Sequence, residues 1–309
     1  MDEKKFKMII DPDYLIERKY YKSQLKKWKI LTLLLITAIV VLFIFRNRVG
    51  YSPSLATGDY IANIQIDDLI YDDIKLNNLL HQIKNDDKAK ALILHIDSPG
   101  GTVAGSEKIY GILRSISNSK PVVAVLGTVA ASGGYLVALA ADYIIAQKST
   151  VTGSIGIVHF SPEITEFGEK IGIKFHTFKS GELKAAPSLT EKVTPAVHEA
   201  TMTLINDMYD FFVELVAERR QMSPEQVLKV ADGKAYTGRQ ALSLNLIDAL
   251  GTTEDALSWL QQEKKLSLDL RVIELHTQNK LAGYIKLLQN NMHKLFFGSK
   301  INGVMALYC

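Results

Sequence analysis

The chain has 309 residues, of which 47% are hydrophobic and 22% are charged, and its formal net charge is +3. These proportions are typical of a folded protein with a sizeable core. The near-neutral balance, without a basic face interleaved with aromatic residues, gives no support to nucleic-acid binding. Cys309 is the single cysteine, so no intramolecular disulfide can form, and we interpret it as a chance residue rather than a nucleophile.

An apolar run near the N-terminus predicts a membrane anchor. Residues 30–45, ILTLLLITAIVVLFIF, contain no charge and only two threonines. As a helix this run is about 24 Å long, slightly short of a ~30 Å hydrocarbon core, and Trp28 and the flanking basic residues suit the interfaces. We predict a transmembrane helix over residues 30–48. A buried core helix and a cleaved signal peptide are the alternatives, although the cleavage-like SLA at 54–56 lies far beyond the run.

The distribution of positive charge predicts the orientation of this anchor. Nine Lys and Arg residues precede Ile30, whereas only Arg46 and Arg48 occur from there to residue 65. The positive-inside rule then places residues 1–29 in the cytoplasm as an N-terminal tail, and everything after about residue 50 outside it.

Strand and helix patterns alternate after a linker over residues 49–57 that is rich in Gly, Pro and Ser. This βαβα order favours an α/β domain over residues 58–265, in which helices cover a parallel sheet. Residues 266–309 are less patterned, and we interpret them as a C-terminal tail. The strand predictions are YIANIQI (a half-exposed strand), ALILHI, PVVAVL, YIIA and GSIGIV, and the helix predictions are residues 72–83, 103–116 and 134–141.

Two further helices are predicted from their starts. Thr194-Pro195 and Ser223-Pro224 each place a capping side chain before a proline, which suits the first turn of a helix.

Ser132 lies in the stretch GTVAASGGY, between small residues at a predicted strand-to-helix turn. Such a serine has either a packing role or a chemical one, because a side chain at this turn can project from the edge of the sheet. Gly133 and Gly134 allow another backbone to approach and leave the amide of Gly133 open as an oxyanion donor.

A second glycine-rich turn, HIDSPGGTV, also follows a buried strand and precedes a helix. Gly100 and Gly101 fall at the start of that helix, where amides can bind developing negative charge. The alternative is a plain turn without a ligand. Because turns on successive βα units of one sheet lie side by side, we expect this turn to be adjacent to Ser132.

A nucleophilic serine needs a proton acceptor, and histidine is the default choice. Three of the seven histidines, His95, His159 and His176, lie in or beside predicted strands, and the other four have no evident triad pattern. No metal-ligand spacing and no cysteine cluster occurs, so we predict no metal site. A lysine can act as the base where apolar surroundings disfavour its ammonium form. Lys184 has apolar neighbours, whereas Lys179 has more polar ones, so we favour Lys184.

The motifs DSPGG, AASGGY followed by AAD, TGSIGI and KSGELKAAPS, in that order, resemble the SppA-type signal peptide peptidases, also called protease IV. YTGRQALSLNLIDALG resembles a downstream block of the same family, so the resemblance covers roughly residues 58–265. It implies the crotonase-like fold shared with caseinolytic (Clp) proteases. Leu136, which stands where a second aromatic is common, and the sequence LKAAPS depart slightly from the family pattern.

The resemblance also implies a catalytic site. Ser132 would be the nucleophile, Lys184 the general base and Ser154 a residue that orients the lysine. The amides of Gly133 and of Gly101 or Gly100 would form the oxyanion hole. No cofactor is implied. The short, single-copy members of the family further imply a ring or dome of subunits, with each serine and lysine supplied by neighbours.

These observations predict a single-pass protein of a bacterial inner membrane whose serine peptidase domain, outside the cytoplasm, degrades remnant signal peptides and other short apolar peptides. Two alternatives remain open: an inactive scaffold for membrane proteins, and an acyl-CoA enzyme, which the crotonase-like fold also allows.

Overall fold

The structure is a computed structural model that describes residues 20–22, 24–35, 37, 58–267, 269–276 and 305–307. The chain divides into two compact units, Met1–Ser52 and Pro53–Cys309.

In the first unit a helix, α1, covers residues 20–22, 24–35 and 37. The Thr32 hydroxyl donates to the Trp28 carbonyl at 2.8 Å and the Thr37 hydroxyl to the Leu33 carbonyl at 2.7 Å, so both hydroxyls are satisfied within the helix. Within the described part of the chain, no helix has the length and apolar character needed to cross a membrane. Much of the predicted anchor, residue 36 and residues 38–48, lies outside the described residues, as do the linker and residues 1–19.

The second unit is an α/β domain built on a mostly parallel sheet. Its elements are β1 (Tyr60–Asp67), α2 (Ile74–Asn85), β2 (Ala89–Ser98), β3 (Gly100–Thr102), α3 (Val103–Ser117), β4 (Val122–Ala131), α4 (Gly133–Ala138), β5 (Tyr143–Ala146), β6 (Val151–Gly153), α5 (Thr165–Lys170), α6 (Pro195–Arg220), α7 (Pro224–Leu228), β7 (Ala235–Thr237), α8 (Gly238–Ser243), β8 (Ala249–Leu250), α9 (Thr253–Gln262), β9 (Arg271–Leu275) and β10 (Met305–Leu307).

The eight-stranded sheet runs in the order β7-β6-β4-β2-β1-β9, with β5 and β8 joined through β4. Its pairs are parallel except for β6 with β7, which is antiparallel. β4 is shared along its length: Val123–Leu126 pair with β5, whereas Val129–Ala131 pair with β6. The end of β4 is therefore flanked by β2 on one side and β6 on the other, and the chain turns there into α4.

Both faces of the sheet are covered, so alternate residues of one strand pack into different layers. Ile64 and Leu94 belong to the larger core, with side chains from α2, α3, α4 and α6. Ile61 and Ile93 belong to the smaller core, with Ala256 and Leu260 of α9. The prediction of a half-exposed first strand is therefore wrong for most of its length, because α9 covers its second face.

The predicted helix starts are confirmed. The Thr194 hydroxyl accepts from the Val197 amide at 3.3 Å, and Ser223 forms a capping box with Gln226. β9 lies beyond residue 265, where the sequence predicted a tail, and it extends the sheet by pairing in parallel with β1.

Candidate active site

The turn that carries Ser132 is strained and tightly held. Ser132 has φ 53° and ψ −119°, a conformation that a residue with a side chain rarely adopts. Its amide donates to the Gly153 carbonyl at 2.8 Å, and its carbonyl accepts from the Leu136 amide at 2.9 Å. The turn is thus fixed by β6 on one side and by α4 on the other. The nucleophiles of α/β-hydrolases occupy a similarly strained strand-to-helix turn.

The hydroxyl of Ser132 is buried and has no hydrogen-bond partner among the described residues. A buried hydroxyl without a partner costs free energy, so its retention at a strained turn points to a chemical role rather than a packing one.

The two glycine-rich turns lie side by side, as the sequence predicted. β2 and β4 are neighbours, with Ser98 opposite Ala130. A Cβ placed on Gly133 would lie 3.1 Å from the Gly101 nitrogen, and one on Gly134 would lie 2.7 Å from the Ser98 carbonyl oxygen. The absence of side chains is what allows this approach.

The hydrogen bonds of β3 distinguish between Gly100 and Gly101 as an oxyanion donor. The Gly100 amide donates to the Ser98 hydroxyl at 3.1 Å. The Gly100 carbonyl accepts from the Ile70 amide at 2.8 Å, and the Thr102 amide donates to the Ile70 carbonyl at 2.9 Å. Because successive residues of a strand direct their amides to opposite sides, the Gly101 amide points away from Ile70. The geometry therefore favours Gly101 and Gly133 as the donor pair.

Ser154 lies directly after the strand that holds the nucleophile turn. It follows Gly153, whose carbonyl accepts from Ser132, and its own amide donates to the Lys234 carbonyl at 2.8 Å. Ser154 also has a positive φ, 50°, and is buried. The structure thus brings together Ser132, Ser154 and the glycines.

Lys184 is not part of this cluster within the chain. Its segment, between α5 and α6, has no regular secondary structure beyond turns, and Lys184 is exposed. The Ser132 hydroxyl has no bond to it. The sequence predicted a buried lysine next to the serine. The apolar neighbour on which that prediction depended, Leu183, is itself 49% exposed.

Lys179, the other candidate base, is engaged elsewhere. Its ammonium forms an ion pair with Glu191, and this hydrogen bond lowers the pKa of the Glu191 carboxyl. This ion pair holds the Lys179 side chain at Glu191.

Among the described residues, no histidine forms a hydrogen bond with the Ser132 hydroxyl. His95 lies in β2 within 3.4 Å of the Thr253 hydroxyl, and burial lowers its pKa. His159 borders a cavity of about 130 Å³ together with Leu183 and Ala186. Among the residues that the structure describes, no cluster of His, Cys, Asp or Glu is arranged to hold a metal ion.

Sequence reasoning missed two serines that shape the site. Ser98 binds the Gly100 amide, and Ser106 of α3 is buried, with a hydroxyl 2.5 Å from the position that a Gly133 Cβ would take. The Ser106 hydroxyl has no partner among the described residues. Its position four residues into α3, after the second glycine-rich turn, was the available signal.

Residues 236–251, the downstream block of the sequence resemblance, anchor the helix that follows Ser132. The hydroxyl of Tyr135, in the first turn of α4, donates to the Leu246 carbonyl at 2.7 Å, and burial raises its pKa. Asp248 accepts from the Ile144 amide and pairs with Arg220, at 2.7 and 2.9 Å. The residues that resemble a family motif here are structural, because they anchor α4 and β5.

A strained, buried serine next to the closely packed backbones of Gly101 and Gly133 is typical of a serine hydrolase, and the mostly parallel sheet with flanking helices places the fold in the Clp-like α/β class. The sequence profile of Clp protease matches residues 59–163, and that of peptidase family S49 matches residues 114–267.

Several relatives bear protease names. A putative protease of Methanocaldococcus jannaschii is 34% identical over 263 residues, which are 79% of this chain and 85% of the relative. A putative protease of Synechocystis is 42% identical over 172 residues, 56% of this chain and 62% of the relative. A putative signal peptide peptidase SppA of Enterococcus faecium is 36% identical over 196 residues, 63% of this chain and 57% of the relative. The chain thus spans less than two thirds of the latter two.

The chain belongs to peptidase family S49, whose members include proteins named signal peptide peptidase SppA and protease 4. The family match and these names support a serine-type protease.

Proposed function

We propose that this protein is a membrane-anchored serine endopeptidase that uses Ser132 and Lys184 to cleave remnant signal peptides and other short apolar peptides outside the cytoplasm. The observation that carries the proposal is the strained Ser132, whose unpartnered hydroxyl lies beside the converging Gly101 and Gly133 turns.

In the proposed reaction the Ser132 oxygen attacks the peptide carbonyl while neutral Lys184 accepts the hydroxyl proton. The Gly101 and Gly133 amides stabilise the oxyanion that forms. The lysine then donates the proton to the departing amine, and the acyl-enzyme remains. Water, activated by the same lysine, hydrolyses the ester and restores the serine. Ser154 orients the lysine, and no step requires a cofactor or metal ion.

We propose that Lys184 reaches Ser132 across a subunit boundary in a ring or dome of copies. Large apolar side chains are exposed on both sides of α5: Phe178, in the lysine segment, is 97% exposed, and Phe160, before α5, is 86% exposed. Large apolar side chains that are almost fully exposed to water are costly, and another protein covering them would remove this cost. The unpartnered Ser132 hydroxyl and the exposed Lys184 are the two halves that such an assembly would join.

The membrane anchor remains part of the proposal. The leucines in the described part of α1 are exposed, and the hydroxyls of Thr32 and Thr37 bond to carbonyls of their own helix. From Ile30 to Leu35 the side chains are apolar apart from Thr32, whose hydroxyl bonds within the helix, and such a stretch is compatible with lipid. With the positive-inside charge bias, this favours a single-pass protein of the bacterial inner membrane with its peptidase domain outside the cytoplasm.

The test compares the full chain, purified in detergent, with its Ser132→Ala, Lys184→Ala and Lys179→Ala variants on a quenched apolar peptide. We expect the first two to lose activity at least about 10³-fold, and Lys179→Ala, as the matched control, to retain most of it. The wild-type rate should rise between about pH 6 and pH 10, because only a neutral amine accepts the serine proton.

Co-assembly of the two inactive variants tests the shared site. A random mixture of Ser132→Ala and Lys184→Ala chains should regain about a quarter of wild-type activity if neighbours supply the two residues. An active Lys184→Ala variant would refute the assigned base. Wild-type protein that forms oligomers but neither cleaves peptides nor reacts with a fluorophosphonate at Ser132 would favour the scaffold instead.

A further inference from the structure

A cavity of about 130 Å³ lies between the lysine segment, residues 171–194, and helix α6. Among the described residues that line it, His159 and Thr201 are the polar ones, and none carries a carboxylate, an ammonium or a guanidinium group. The lining from the lysine segment consists of Leu183, Ala186 and Pro187, and α6 contributes Ala200, Thr201 and two larger apolar side chains.

The cavity adjoins the proposed base without containing it. Leu183 directly precedes Lys184, and Ala186 and Pro187 follow within three positions, whereas Lys184 is not part of the lining. A molecule in the cavity therefore touches the chain on both sides of Lys184 and leaves its amine accessible.

The lysine segment is incompletely packed against α6. Ala185 has φ 58°, a conformation that costs free energy in a residue with a side chain, so contacts made elsewhere must stabilise this arrangement. Leu183, the residue before Lys184, is 49% exposed although it borders the cavity. An occupant would supply the missing contacts, and because it binds this arrangement it would stabilise the segment in it.

His159 supplies the one side-chain atom of the described lining that calls for a polar ligand group. Its Nδ1 atom is buried and has no hydrogen-bond partner among the described residues. The Thr201 hydroxyl is satisfied, because it donates to the Val197 carbonyl at 2.7 Å. A buried polar atom without a partner costs free energy, which a ligand recovers by bonding to it. A hydroxyl suits either tautomer of the imidazole, since it both donates and accepts.

The volume restricts the ligand to a small molecule. An apolar cavity of about 150 Å³ in another protein binds benzene, so a single ring suits the cavity next to Lys184. We propose that this cavity is a regulatory binding site for a small, uncharged, mainly apolar molecule with one hydroxyl, and that its occupancy holds the lysine segment in place for catalysis. The effect on catalysis rests on the proposed function, whereas the binding site does not.

Binding is tested with phenol and toluene, which are similar in size and differ in the hydroxyl. Equilibrium dialysis of the full chain in detergent, against protein-free micelles of the same detergent, measures both affinities. We expect His159→Phe to weaken phenol binding about tenfold, through loss of one hydrogen bond, and to change toluene binding less than about twofold. Ala200→Leu fills the cavity and should abolish binding of both. Ala196→Leu, an exposed position of α6 outside the lining, is its matched control and should bind as wild type does.

The regulatory effect is measured on the quenched apolar peptide and by hydrogen exchange. Phenol should raise the wild-type kcat several-fold and slow exchange of the amides of residues 183–186, because it ties this part of the chain to α6. Ala200→Leu should show the raised kcat and the slowed exchange without phenol, and phenol should change neither further. Ala196→Leu should respond to phenol as wild type does.

Absence of saturable phenol binding, equal phenol affinity of wild type and His159→Phe, or undiminished binding in Ala200→Leu would overturn the site. Phenol that binds but raises KM without raising kcat would make the cavity a pocket for a substrate side chain, and phenol that binds without altering either constant would make it inert. Both results would overturn the regulatory role. Failure of the proposed function looks different: binding and exchange would still depend on His159 and Ala200, but none of the proteins would cleave the peptide.

Discussion

Ser132 and its glycines lie where β2, β4 and β6 converge, and the serine is buried there, whereas Lys184 lies in a segment without helix or strand whose side chains are mostly exposed. The position of the serine is set by backbone hydrogen bonds to two neighbouring elements. The lysine, in contrast, is exposed and lies in a segment that no described helix or strand of this chain holds firmly in place. One half of the proposed site is thus assembled within this chain, whereas the other half would be completed by a neighbouring copy in the assembly that we propose.

The nucleophile half should tolerate no side chain at Gly101. A Cβ there would lie 1.9 Å from the Ile70 carbonyl oxygen, so Gly101→Ala must displace β3. We expect kcat to fall on the order of 10²- to 10³-fold, as for the loss of an oxyanion donor, and the free energy of unfolding to fall by about 1–3 kcal/mol. Peptide turnover and urea unfolding measure the two effects.

Gly111→Ala is the matched control for this change. Gly111 lies within α3, and no atom is within 4 Å of the position its Cβ would take. The substitution should leave turnover unchanged and raise the free energy of unfolding by up to about 1 kcal/mol, because alanine is the better helix former. A Gly101→Ala protein as active as Gly111→Ala would remove Gly101 from the oxyanion hole.

We expect substitutions of exposed side chains in the lysine segment to change activity with little effect on the folding of the single chain. Phe178→Ser should alter the free energy of unfolding of the single chain by no more than about 0.5 kcal/mol, because the ring is almost fully exposed. It should nevertheless shift activity to higher protein concentrations, because it weakens the proposed contact between copies. Activity and sedimentation measured across a dilution series report both properties.

Phe212→Ala provides the contrast. Phe212 is fully buried in the main core, so its truncation should cost about 3–5 kcal/mol of folding free energy. If Phe178→Ser changed neither the assembly nor the concentration dependence of activity, the proposed contact of the lysine segment with another copy would be wrong.

The smallest expected effect concerns Ser106, where two variants distinguish a packing role of the side chain from a chemical role of its hydroxyl. Its hydroxyl is buried without a partner, so Ser106→Ala should change the free energy of unfolding by no more than about 1 kcal/mol and leave kcat unchanged. Ser106→Val keeps the γ position filled and adds a methyl group beside Gly133, which should displace the donor amide and lower kcat by about tenfold. A loss of kcat in Ser106→Ala as large as in Ser106→Val would instead assign the hydroxyl a direct role.

The sequence predicted the parts of the site that local pattern determines. The run ALILHI and the glycine-rich turn after it predicted β2 and the start of α3, and AASGG predicted a strand-to-helix turn at Ser132. The sequence alone does not distinguish Gly101 from Gly100 as the oxyanion donor, because the distinction depends on the hydrogen bonds that Ser98 and Ile70 form with β3. The exposure of Lys184 was equally inaccessible, because the apolar residues beside it in sequence do not bury it. β9 was missed because RVIEL is mostly exposed and carries no clear alternation.

The position of β9 has a consequence for how the domain is made. β1 is the first strand of the domain to be synthesised and β9 is among the last, yet they lie side by side, with Ile64 opposite Leu275. A nascent chain that has emerged only through β6 already contains the serine turn and both donor glycines, but its first strand still has an open edge. Pairing between segments so distant in sequence is slow to form, and an unpaired strand edge invites association with other chains. Synthesis interrupted before residue 271 would therefore yield a chain that carries the serine turn on an incomplete sheet, prone to aggregate before it can act.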